Sequence, residues 1–386
     1  VPIIRQGEKV LLAAQEPNGI EYHVINAETE QVSFITEADD LGATMSRFSD
    51  KAVFLKEGQI TLYDFIRGEF RTAQNGNLTR PEILPNGFWI IAEEKTQGES
   101  KYTSKLRRIR SSDMRDFALV GLADDVILNH KQIFSPDGRY LAFFWGDKDA
   151  QATSNSLSAD IFVIDMLEMK PFEGPWVSKH KMPTAAWSGN KSLAYTGEDG
   201  SEIYLSEFGL ERHLLDSSLW NGPRIYEAGR QMPDGYEEET IEALKFIGNN
   251  HLAFVSRFSS TAKQQVKLAA SILDLKSGQI VSLDGSAILD ASSSSVLYVC
   301  NTLSDLCEFD TNTGLNRRIT NTPDLAESLA VYAQDGKKAY VVAYPADCRQ
   351  AVCIPSLLVI ELASGASKLL KQGEAGARYG LIAPPP

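Results

Sequence analysis

The sequence has 386 residues, of which 43% are hydrophobic, 23% charged and 9% aromatic. That is ample apolar material for a packed core, and no apolar run approaches the ~20 residues that span a bilayer as a helix. The net charge of −13, from 38 basic and 51 acidic residues, argues against a nucleic-acid-binding surface, which needs basic patches.

Read in chain order, the sequence repeats itself. The element is a tight turn followed by a short apolar run: QGEKVLLAA (6–14), FSDKAVFL (48–55), LPNGFWII (84–91), FSPDGRYLAFFW (134–145), WSGNKSLAYT (187–196), FIGNNHLAFV (246–255), DASSSSVLYV (290–299) and AQDGKKAYVV (333–342). A second alternating run follows most copies, as in IEYHVINAETE (20–30), ASILDLKSGQ (270–279), CEFDTNTG (307–314) and LLVIELASG (357–365). Asn26, Asp274 and Asp310 are placed to accept backbone N–H bonds just beyond these runs, and Gly278, Gly314 and Gly365 to supply a positive φ. The markers Leu12, Phe54, Trp89, Phe143, Tyr195, Phe254, Tyr298 and Tyr340 stand 35 to 59 residues apart. Four short strands per period of about 40–45 residues is the pattern of a β-propeller.

The expected fold is all-β: a single β-propeller domain over 1–386, of eight four-stranded blades, with seven as the alternative. The shortest step leads to Trp89, so that unit is expected to be the irregular one. Little sequence precedes Gly7 to make a first strand, whereas ARYGLIA (377–383) follows the last complete unit. The C-terminal run is therefore expected to close the N-terminal blade and the ring, with 384–386 as a tail. No charged-then-apolar leader stands at Val1.

The four cysteines form two close pairs, Cys300 with Cys307 and Cys348 with Cys353. Each pair brackets a polar turn between alternating runs, so a bridge across the mouth of each hairpin is expected, and with it an oxidising compartment. The rival arrangements are a four-cysteine zinc site and reduced thiols. The expected location is extracytoplasmic: periplasmic, secreted or surface-anchored.

The run from Ser135 to Phe143, Ser-Pro-Asp-Gly-Arg-Tyr-Leu-Ala-Phe, resembles the repeat of the TolB-like, WD-like propeller family. Degenerate copies occur at 335–340 and 188–195. No Trp-Asp dipeptide closes the units and no Gly-His element occurs, so the eukaryotic-type WD repeat fits poorly. The resemblance implies a propeller fold, a place in the bacterial envelope or ahead of a peptidase domain, and a role as a protein-binding platform.

A catalytic reading finds little. His23, His130, His180, His213 and His251 fall in separate repeats without metal-ligand spacing, and no Gly-x-Ser-x-Gly elbow or phosphate-binding glycine loop occurs. The acidic clusters Asp124-Asp125, Asp147/Asp149 and Glu237-Glu238-Glu239 read as solvated loops. The basic run 101–115, with Lys101, Lys105, Arg107, Arg108, Arg110 and Arg115, reads as an exposed outer strand paired to acidic neighbours. No catalytic residue, metal or cofactor is assigned, and the chain is not expected to be an enzyme.

Loop length is more informative. First-to-second turns are short, whereas second-to-third connections such as 93–102, 146–160 and 257–265 are long, as is the blade-to-blade link 216–240. The partner site is expected on the long-loop face, formed by Trp220, Arg224, Tyr226, Arg230, Met232 and Tyr236, residue types that dominate interfaces. Alternatively Trp220 and Tyr226 fold back to plug the channel or cover a blade. The expected function is a non-catalytic protein-binding scaffold for a protein partner or envelope assembly. The alternatives are a propeller enzyme or glycan-binding lectin, and a structural subunit of a surface assembly.

Overall fold

The computed structural model describes residues 9–46, 50–97, 102–118, 127–128, 133–146, 158–167, 170–171, 180–181, 184–189, 192–197, 200–208, 223–227, 232–262, 264–300, 304–348 and 353–384. Within them every regular element is a β-strand, gathered into eight antiparallel sheets.

The first sheet holds Lys9–Glu16, Gly19–Asn26 and Gln31–Ala38, completed by Arg378–Ile382. The second runs Thr44–Met45, Lys51–Lys56, Gln59–Asp64, Glu69–Thr72, and the third Leu78–Ile83, Trp89–Gln97, Tyr102–Arg110, Asp116–Ala118. The fourth is irregular: its middle strands Tyr140–Gly146 and Ser158–Asp165 are flanked by two-residue pieces, Ile127–Leu128 and Ile133–Phe134 on one side, Lys170–Pro171 and His180–Lys181 on the other. The fifth is Ala185–Trp187, Ser192–Thr196, Ile203–Glu207, Arg224–Tyr226, and the sixth Glu238–Ile247, His251–Ser260, Gln265–Asp274, Ile280–Ser282. The seventh is Gly285–Ala291, Ser295–Cys300, Asp305–Asp310, Leu315–Arg318, and the eighth Leu325–Tyr332, Lys338–Pro345, Ser356–Glu361, Ser367–Gln372. Eight sheets, each with consecutive strands as neighbours, make this an eight-bladed β-propeller.

The markers read from sequence all fall on the second strand of their blade. The reason is burial. A second strand has a neighbour on each side and protein over both faces, so it reads as a continuous apolar run. Val10 to Ala14, Leu193 to Tyr195 and Ala339 to Ala343 are fully buried. Fourth strands such as Glu69–Thr72 and Ser367–Gln372 are polar and largely open to water.

Turn chemistry follows the same logic. Asn26 accepts the N–H groups of Glu28 and Thr29 (2.9 and 3.1 Å), Asp274 those of Lys276 and Ser277 (2.8 and 3.2 Å), and Asp310 those of Asn312 and Thr313 (2.8 and 3.1 Å). In the Ser-Pro-Asp-Gly-Arg turn, Ser135 Oγ donates to Asp137 (2.7 Å) and accepts from the Tyr140 N–H (2.9 Å). Arg139 then places Nε and Nη2 on Asp165 Oδ2 (3.0 and 2.9 Å), fastening the turn to the third strand.

The C-terminal strand completes the first blade. Arg378–Ile382 pairs antiparallel with Leu11–Gln15, and Ala377 and Tyr379 pack among Val10, Leu12, Tyr340 and Leu357. No cysteine is free: Cys348 is bonded to Cys353, with Cα atoms 5.6 Å apart, and Cys300 and Cys307 are likewise disulfide-bonded.

The chain forms two compact units, Val1–Leu119 with Thr302–Glu308 and Arg317–Pro386, and Val120–Asn301 with Phe309–Asn316. In the first, Tyr22 stacks on Phe54 at 5.2 Å. In the second, Trp187 stacks on Tyr140 at 5.9 Å and donates its indole N–H to the Ile133 carbonyl (3.0 Å).

Three expectations change. Blade three, marked by Trp89, has four strands with a bulge between Thr79 and Glu82, and blade four is the more irregular one. The segments 93–102 and 257–265 are mostly strand, since Trp89–Gln97 and Tyr102–Arg110 pair out to Gln97 with Tyr102, and His251–Ser260 and Gln265–Asp274 out to Ser260 with Gln265. The segment 216–240 is not a single link, because Arg224–Tyr226 is the fourth strand of blade five.

Candidate functional site

The expected contact residues divide by burial. Arg224 is exposed on the edge strand of blade five, where it bridges Glu202 (2.5 Å) and Glu227 (3.4 Å). Glu202 also accepts the Tyr204 hydroxyl (2.6 Å), and that bond pushes the phenol up to about 12. Met232 and Tyr236 are half-buried in the link to blade six, with the Tyr236 ring 6.3 Å from Phe258. Tyr226 is 1% exposed: its ring packs on Phe254 at 4.9 Å, so its side chain lies inside the protein. Trp220 and Arg230 lie outside the described residues, as do most of 146–160 and the acidic pairs Asp124-Asp125 and Asp147/Asp149.

The glutamate triplet is a clamp. Glu237 accepts the N–H (3.3 Å) and hydroxyl of Thr261, and Glu238 accepts Ser259 Oγ (3.1 Å). Glu239 is buried, and its Oε1 accepts both Tyr226 OH and Ser256 Oγ at 2.6 Å. Strand alternation explains the split, since successive side chains point to opposite faces. Glu237 fastens the long hairpin of blade six to the incoming link, and Glu238 and Glu239 fasten it to the first strand of the blade. On the outer half of that hairpin Val266 and Leu268 are exposed, at 53% and 37%.

Sequence reading did not find a cavity of about 580 Å³ on blade one, lined by Glu16, Asn18, Glu21, Glu37, Lys371 and Glu374 among others. Four carboxylates against one ammonium favour cationic groups there. Glu16 accepts the Glu374 N–H (3.3 Å) and the Tyr379 hydroxyl (3.4 Å), and burial, then Glu16, pushes that phenol well above its ordinary value. The expected pairing of 377–383 with the N-terminal blade was the one signal that brought Glu374 near Glu16.

Beside this cavity His23 is buried and bonded to Glu21 (2.9 Å). Burial, then Lys371, pushes its imidazole below the ordinary value, with Glu21 opposing. Since the unfolded chain binds this proton more readily, stability from His23 is complete above about pH 6.5 and is lost as pH falls from there through the lowered value of the folded state. Melting temperatures between pH 7.5 and 5.5 should fall more for the parent chain than for His23→Gln; equal slopes would contradict this.

Among the described residues no three His, Cys, Asp or Glu side chains are grouped to hold a metal ion, and no helix is long and apolar enough to cross a membrane.

No family model matches the chain, and no curated protein matches its sequence. Solved structures match its fold. A dihydro-heme d1 dehydrogenase is 12% identical with a TM-score of 0.58, covering 97% of this chain and 75% of its own. A eukaryotic initiation factor is 12% identical with a TM-score of 0.58, covering 98% and 99%. The oligogalacturonate lyase of Vibrio parahaemolyticus is 9% identical with a TM-score of 0.52, covering 93% and 91%. At these identities the likeness shows the propeller fold, a scaffold that carries unrelated activities.

Proposed function

We propose that the chain is a non-catalytic, protein-binding propeller of the TolB-like kind. It works as a single domain outside the cytoplasm and docks a protein partner or envelope assembly at the second-to-third ends of its blades. The observation that carries this reading is the construction of those ends. Cys348–Cys353 cross-links the second-to-third hairpin of blade eight, Cys300 and Cys307 are disulfide-bonded in blade seven, and Glu237, Glu238 and Glu239 clamp the hairpin of blade six. Stiffened connections lose less entropy on binding than free loops of the same length. The disulfides are compatible with an oxidising compartment.

Arg224, Met232 and Tyr236 are the proposed contacts, with Trp220 and Arg230 completing the set and Tyr226 anchoring them from beneath. Co-purification from the native source, followed by titration with the recovered partner, tests this. Arg224→Ala and Tyr236→Ala should each weaken binding about tenfold, ~1.4 kcal/mol, at an unchanged melting temperature. Tyr226→Ala should instead lower the melting temperature, because it leaves a cavity worth ~3–5 kcal/mol. A partner that binds both surface variants as tightly as the parent would refute the assignment.

A further inference from the structure

The basic run 101–115 remains unused by this reading. On blade three most of its arginines are neutralised. Arg107 pairs with Asp116 (2.5 Å) and Glu94 (3.6 Å), holding the Asp116 carboxyl below its ordinary range. Arg110 pairs with Asp113, which Arg115 shares at 3.7 Å. Arg108 differs. Among the described residues it makes no ion pair or hydrogen bond, and its Nε, like that of Arg107, is buried without a partner.

Aromatic rings hold it instead. The Arg108 guanidinium lies 4.9 Å from the centre of the Trp89 ring and 5.7 Å from that of Phe117, and these rings are 6.0 Å apart at 76°. Strand register explains the group. Arg108 lies directly opposite Phe117 on the fourth strand, and Trp89, two positions before its other partner Ile91, shares its face. Phe117 is 36% exposed.

We propose that Trp89, Arg108 and Phe117 form a docking site for an acidic segment of a protein partner, with one Asp or Glu carboxylate on Arg108 and an adjacent apolar side chain on Phe117. A guanidinium stacked on rings keeps its two in-plane Nη groups for a bidentate carboxylate. The rings also fix the side chain before binding, so little rotamer entropy remains to be lost. Charge decides the class of partner. A nucleic acid or an anionic membrane presents many phosphates and rewards several free cations, whereas among the described residues the neighbouring Arg107, Arg110 and Arg115 are compensated and Arg108 is not. At physiological salt the net −13 is screened beyond about 8 Å, so it does not prevent one short-range pair. Arg224, Met232 and Tyr236 take no part in this site.

The test is a displayed library of random short peptides, panned on the folded chain. Recovered peptides should be enriched in Asp or Glu beside an apolar residue. Arg108→Gln should weaken them at least tenfold, Phe117→Ala several-fold, and Arg115→Gln not at all. If Arg108→Gln fails to fold, Arg108→Lys, which keeps the charge but loses the planar fork, should still weaken them. Peptides without acidic enrichment, or equal losses in Arg108→Gln and Arg115→Gln, would overturn the proposal. Sedimentation with phosphatidylglycerol vesicles that Arg108→Gln abolishes would also overturn it, by assigning the site to a headgroup phosphate.

Discussion

Deleting residues 377–386 should abolish cooperative folding. The loss takes away the strand Arg378–Ile382, which among the described residues is the partner of one whole side of Leu11–Gln15. Leu11, Leu12, Ala13 and Ala14 are fully buried, so the deletion opens an apolar strand with unpaired N–H and C=O groups, a template for aggregation. It also removes Ala377 and Tyr379 from the cluster with Val10, Tyr340, Val342 and Leu357. Tyr379→Ala alone should cost about 3–5 kcal/mol, the range for truncating a buried aromatic. The full deletion should exceed that, and against a total stability of roughly 5–15 kcal/mol it should leave insoluble or unfolded protein. Circular dichroism melts and light scattering on the two variants check the order. A truncated chain that melts like the parent would show that the C-terminal strand does not hold the first blade together.

The second large effect comes from a single methyl group. Gly278, Gly314 and Gly365 occupy the same turn in three blades, with φ of 69°, 69° and 71°. A Cβ on Gly278 or Gly314 would meet nothing within 4 Å, whereas on Gly365 it would lie 2.3 Å from the Ile319 carbonyl oxygen. Alanine at the first two should cost only the left-handed backbone strain, ~1–2 kcal/mol. Gly365→Ala adds a clash with backbone that cannot swing aside, and overpacking of that kind costs a further ~1–3 kcal/mol. Denaturant midpoints for the three variants should therefore leave Gly365→Ala well below the other two. Equal shifts would mean that the Ile319 carbonyl yields freely.

What was readable in the sequence follows from burial. The second strands stood out because both of their faces are covered, which forces runs such as Val10 to Ala14. Turns stood out because Asn26, Asp274 and Asp310 act locally, on N–H groups two and three residues ahead. The fourth strand of blade five did not, because Arg224–Tyr226 is three residues long and bulged against Ile203 and Tyr204. It therefore merged with its flanks into one apparent link. Blade four hid its irregularity because the Ser-Pro-Asp-Gly-Arg turn marks one corner while the strands on either side break into two-residue pieces. The triplet Glu237-Glu238-Glu239 looked like solvated charge, since only pairing register reveals which of the three turns inward to Tyr226 and Ser256. The cavity at Glu16 and Lys371 was out of reach for a similar reason, as its walls come from opposite ends of the chain.

The most direct test of the proposed function places a photo-crosslinking amino acid at either end of blade six in cells that make the protein. Position 266 lies on the clamped hairpin, and position 249 lies in the exposed first-to-second turn at the opposite end of the same blade. The account predicts a discrete crosslinked protein from position 266, lost in Tyr236→Ala, and none from position 249. A partner captured from position 249, or capture at 266 that Tyr236→Ala leaves unchanged, would contradict it.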